Sequence, residues 1–265
     1  MWLPISARIT LFPFGQGPQP DALVLFRAIW DTDPDSFSRQ SNPLYPSTAV
    51  GKRGNFQCQS TTHATRVDLL LGPTDPKESG VEVVLDEAPH LSLIEDSAAL
   101  YVELGRMIEA VRAGNFSANR VALGVQFVQT AKTAAEANQA LVAVVPPQYR
   151  LQLKDEVDVI VQVNSPQSIA LKPELPFNFI RKWSTETVQV YSGFVPIAVS
   201  TTGMQLAPML QPNNYLVSSV AYDINSIVRA DALSQDEQNA VLREALGRVA
   251  ADQQVLGLSV QGFGP

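Results

Sequence analysis

In Ile5-Ser6-Ala7-Arg8-Ile9-Thr10-Leu11-Phe12 apolar and polar side chains alternate as far as Leu11. Ile5, Ala7, Ile9 and Leu11 share one face, and Ser6, Arg8 and Thr10 share the other. A period of two predicts a strand with one buried face. The pattern returns over Thr65–Leu71, where Val67, Leu69 and Leu71 oppose Arg66 and Asp68. Further strands are expected at Asn55–Ser60, Val81–Leu85 and Arg120–Thr130. From Tyr149 to Ile224 the chain reads as strands broken by turns, at 157–163, 174–183, 186–191, 195–200, 205–210 and 216–224.

Three helices interrupt these runs. Asp96 opens the clearest, in which Leu100, Leu104, Met107, Ile108 and Val111 recur on one face and Gly114-Asn115 supplies the stop. Thr133 to Glu136 and Ser234 to Glu237 are capping-box patterns, each a hydroxyl three residues before a carboxylate. The first starts an alanine-rich helix that Pro146-Pro147 ends; the second starts a helix over 234–252 with Val241, Leu242, Ala245, Leu246 and Val249 inward. Residues 22–29 are apolar almost throughout, so periodicity leaves helix and strand open there. Asp31–Gly54 carries Pro34, Pro43 and Pro46 and reads as a long irregular connection.

Runs of strands followed by helices give an α+β fold, mostly antiparallel sheet with a few long amphipathic helices. Each half ends in a long helix, so two related α+β modules are expected, 1–114 and 115–265, unless the chain forms one continuous domain.

Composition narrows the function classes. Of 265 residues, 45% are apolar and only 17% charged, with a net charge of −7. A surface poor in charge fits a subunit with buried interfaces. The acidic balance argues against nucleic acid, whose phosphates call for clustered Lys and Arg. The one cysteine, Cys58, permits no intrachain disulfide, and no apolar run approaches the roughly 20 residues of a membrane span. The expectation is a soluble, cytoplasmic protein.

The candidate motifs are fragmentary. Gly15-Gln16-Gly17 matches only the opening of a dinucleotide-binding turn, because Pro18 and Pro20 stand where amide donors are needed. Gly72–Gly80 contains Thr74, Lys77 and Ser79 in the wrong order for a triphosphate loop. Cys58, His63 and His90 lack zinc-site spacing, and Cys58 and His63 fall on opposite sides of a continuous strand. Asp155, Glu156 and Asp158 read as a solvated turn rather than a cation site.

Phe177, Phe179, Arg181 and Trp183 would share one face of a strand. Such a row serves as core, as a protein contact or as a stacking platform for single-stranded bases. The reading adopted is a non-enzymatic protein-binding or assembly subunit, oligomeric or part of a larger complex, with these four residues as its contact. No residue is assigned a catalytic, cofactor-binding or metal-binding role, and a small-molecule ligand is left open. The rivals are an enzyme or nucleotide-binding protein using the Gly15/Gly17 loop, and a single-strand binder using the 177–183 face.

Overall fold

The computed structural model describes residues 1–15, 20–39, 46–74, 91–156, 158–169, 172–190 and 213–255. The expected strands at 81–85, 195–200 and 205–210, Gly17 and His90 lie outside them. The described residues form an α+β fold with one nine-stranded antiparallel sheet and four α-helices. In chain order these are β1 (Leu3–Pro13), α1 (Ala22–Trp30), β2 (Ser36–Ser38), β3 (Ser47–Arg53), β4 (Phe56–Thr62), β5 (Val67–Pro73) and α2 (Ser97–Ala113). There follow β6 (Ala118–Ala131), α3 (Ala134–Val144), β7 (Ile160–Ile169), β8 (Lys172–Val190), β9 (Asn213–Ser226) and α4 (Gln235–Val255).

The strand order is β2-β3-β4-β5-β1-β6-β9-β8-β7. β1 and β6, the first strands of the two halves of the chain, pair at its centre, with Ile9 opposite Leu123 and Arg8 opposite Gly124. The sheet is therefore continuous across residue 114.

A common register carries the alternation of Ala7–Leu11 from β3 to β8, whereas Ile5 stands at a bulge between Pro4 and Ser6 and is only half-buried. One row runs Ala49, Ser60, Leu69, Ile9, Leu123, Ile224, Phe179. These side chains are buried beneath the helices. The neighbouring row runs Thr48, Thr61, Asp68, Thr10, Ala122, Asn225, Asn178 on the opposite face. There the polar groups bond one another: Thr10 Oγ1 donates to Asp68 Oδ1 at 2.7 Å, and Asn178 Nδ2 donates to Asn225 Oδ1 at 3.1 Å. All four helices lie on the first face. Ser60 Oγ donates to Ala22 O of α1 and Ser218 Oγ to Ala137 O of α3, each at 2.6 Å. α4 packs against β6, β9 and β8 and against α2.

Residues 22–30 form a helix because Asp21 caps it, its carboxylate accepting the Leu23 amide at 2.9 Å. Leu25, Phe26, Ile29 and Trp30 then face the core. Its C-terminal carbonyls, where the helix dipole is negative, accept from two arginines: Arg106 Nη1 donates to Ile29 O at 2.6 Å, and Arg53 donates to Trp30 O. Glu103, buried between them, pairs with both guanidiniums.

The connection expected over 31–54 is not irregular throughout. It holds β2 and β3, and β3 lies under α1, where Gly51 leaves room for Phe26: a Cβ there would stand 2.8 Å from Phe26 Cζ. The two strands expected at 174–183 and 186–191 are one, β8, because its ladder with β9 continues unbroken from Phe177 to Val190. At the end of α2 the left-handed residue is Asn115 (φ 51°), while Gly114 stays right-handed.

Candidate functional site

The alternation of β8 does place Phe177, Phe179, Arg181 and Trp183 on one face, and that face is the inner one. The three rings are 1%, 4% and 0% exposed. They lie beneath the helix layer, and Phe179 packs against Tyr222 with centroids 6.0 Å apart. The Arg181 guanidinium sits 5.3 Å from the ring centroids of both Phe179 and Trp183 and bonds Asp252 of α4 at 3.0 Å. Asp252 also accepts the Tyr222 hydroxyl at 3.1 Å. Burial and this carboxylate push the Tyr222 phenol far up. The row thus anchors α4 to the sheet, and a partner cannot reach its rings while the chain is folded. The same burial counts against stacking of nucleic-acid bases on them.

The other sequence candidates separate in space. Cys58 faces the helices, fully buried, and burial raises its thiol to about 12. His63 lies at the opposite face, 3.6 Å from Asp68, so the two make no nucleophile–base pair. Gly15 adopts φ +93°, but the N-terminus of the helix that follows is already occupied by the Asp21 carboxylate, itself paired with Arg39 at 3.2 Å. Asp155, Glu156 and Asp158 stay in an exposed turn, where Glu156 accepts the Lys154 amide and is held below the usual carboxylate range by that bond. Among the described residues no three His, Cys, Asp or Glu side chains converge on a metal-sized site. No helix among them is long and apolar enough to cross a membrane.

What β8 does place at the surface is its neighbour. β7 is the outermost described strand on that side of the sheet. Its ten residues, Ile-Val-Gln-Val-Asn-Ser-Pro-Gln-Ser-Ile, carry no charge. Its hydrogen-bond phase follows from two contacts. The Thr185 amide donates to Val159 O at 2.9 Å, and the Ile227 amide donates to Pro176 O at 3.2 Å. Antiparallel ladders alternate bonded and non-bonded pairs, so the odd residues of β7 bond β8. The even residues, Ile160, Gln162, Asn164, Pro166 and Ser168, turn their backbone groups away from β8. Their side chains are exposed, and Ile160 is 60% exposed. On the helix side Val161 and Val163 are half-buried and extend the core to the edge.

The opposite edge is different. β2 is three residues long and is followed by Arg39. Short strands and charge are the usual protections of a sheet edge. Among the described residues β7 has only Pro166 as protection, whose missing N–H falls at an outward position, where Pro is tolerated. The sequence marked 157–163 as a strand but gave no strand order, so its position at an edge was not visible there. No known protein family, curated protein or solved structure matches the chain.

Proposed function

We propose that this protein is a non-enzymatic binding or assembly subunit that engages its partner by adding a strand to β7. The observation that carries the reading is the outer edge of β7: long, uncharged, and with backbone donors and acceptors that no described strand pairs in phase over Ile160, Gln162 and Asn164. Strand addition uses such an edge, with the main chain supplying affinity and alternate side chains specificity. The contact surface is one strand further out than the aromatic row, whose part is to hold β8 in place beneath it.

The reading includes two related modules. The described residues of 1–114 run strand, helix, strands, helix, and those of 115–265 do the same. Outward from the centre the halves read β1, β5, β4, β3, β2 and β6, β9, β8, β7. By rank β7 corresponds to β3. β3 is covered by β2, whereas no described strand covers β7.

The test is the particle size of the tagged chain in a gently prepared extract of its own source. The expected result is a particle well above the 28.8 kDa of one chain, lost with Gln162→Pro. That change removes an outward N–H and leaves the β7–β8 ladder intact. A wild-type chain running at single-chain mass in that extract would overturn the reading.

A further inference from the structure

We infer that the strand that completes β7 comes from a second copy of this chain, in an antiparallel pair centred on Gln162; the inference rests on the binding reading above. Three observations select this occupant and this register.

Self-pairing places every side chain near its own copy, so any charge close to the axis meets its like. β7 carries no charge from Ile160 to Ile169, although the chain as a whole is acidic at −7. Two copies can therefore meet along this strand without the repulsion that like charges directly opposite one another create.

Proline and the number of backbone bonds available over Ile160–Asn164 favour one register. A two-fold centred on Gln162 pairs Ile160 with Asn164 of the other copy and Gln162 with itself. Only outward residues with an N–H are used, giving about six backbone hydrogen bonds. A two-fold centred on Asn164 would instead set Pro166 opposite Gln162 and lose a donor on each side. At the Gln162 centre two primary amides face each other, and each has both a donor and an acceptor to offer.

The apolar face is self-complementary in the same register. Val161 of one copy falls opposite Val163 of the other, on the helix side. Both residues are half-buried and already packed on the core. Pairing would close that core across the seam and carry the sheet from one copy into the next. A five-residue strand pair buries less than the roughly 1,200 Å² of a standard interface, so the association is reversible and concentration-dependent.

The experiment is the weight-average mass of the purified full chain by sedimentation, from about 1 to about 500 µM. The expected mass rises from 28.8 kDa toward twice that value. Gln162→Pro stays at single-chain mass throughout. Gln162→Lys and Gln162→Glu each weaken self-association about fivefold, and mixing them restores it, because opposite charges then meet at the axis. Amide exchange reads the same pairing without a variant: the Ile160, Gln162 and Asn164 amides gain protection as concentration rises. A wild-type monomer at every concentration would overturn the inference, as would a dimer indifferent to Gln162→Pro with these amides unprotected. If the purified chain is monomeric while the larger particle in extract is still released by Gln162→Pro, only the second copy is excluded and the binding reading stands.

Discussion

At the scale of single residues, the groups with the most reactive chemistry serve the interior. Cys58 is fully buried, and its thiol is raised to about 12 first by burial and then by the Glu103 carboxylate. At neutral pH it is a thiol rather than a thiolate, the nucleophilic form. Labelling with a maleimide is expected to be slow in the native protein and to reach one equivalent on unfolding; rapid native labelling would show the residue accessible. Trp183, wholly buried under the helix layer, is a core position, and Trp183→Ala is expected to cost about 3–5 kcal/mol in a denaturant titration. Asp252→Ala strips Arg181 and Tyr222 of their shared acceptor and should cost about 1–3 kcal/mol. A loss below half of the lower figure would mean that α4 is held mainly by its apolar contacts.

At the scale of elements, α4 depends on its start. Ser234 Oγ accepts the Glu237 amide at 3.2 Å, and Glu237 returns a carboxylate to the Ser234 amide at 2.7 Å. Ser234→Ala should cost about 1 kcal/mol. The Ser234 amide, foremost, holds the Glu237 carboxyl below its ordinary value, with Arg229 assisting. A carboxylate depressed in the folded state stabilises above its unfolded pKa, near 4.3, and loses that contribution as pH falls through the lower folded value. The acid limb of a stability–pH curve should therefore flatten in Glu237→Gln.

At the scale of the molecule, the seam between β1 and β6 joins the two halves from Leu3 to Pro13. Both halves also share the helix layer, where α2 packs on α4. Urea unfolding is expected as one transition, with tryptophan fluorescence (reporting Trp2, Trp30 and Trp183) coincident with far-ultraviolet circular dichroism. Residues 1–114 expressed alone would expose β1 as a second open edge and should lack a cooperative transition. Two separated transitions would show that the halves fold as independent domains.

Local chemistry settled what local chemistry can. The alternation over Ala7–Leu11 and Val67–Leu71 told which side chains face the helices, because a pleated strand has only two faces; it did not show the bulge that leaves Ile5 half-buried, nor the burial of Thr10 and Asp68 on the other face. The hydroxyl–carboxylate spacings at Thr133 and Ser234 located two helix starts, because a capping box is satisfied within four residues. Residues 22–30 stayed open because an all-apolar run fits either element; packing on β3, with Gly51 beneath Phe26, decided for helix. The sharing of a face by Phe177, Phe179, Arg181 and Trp183 was legible, but whether that face is interior or surface depends on α4, which lies more than 50 residues further on. The β7 edge was equally hidden. An uncharged alternating decapeptide reads alike at the centre or the margin of a sheet, and only the strand order, set by long-range pairing and by which helices cover which strands, made it the margin.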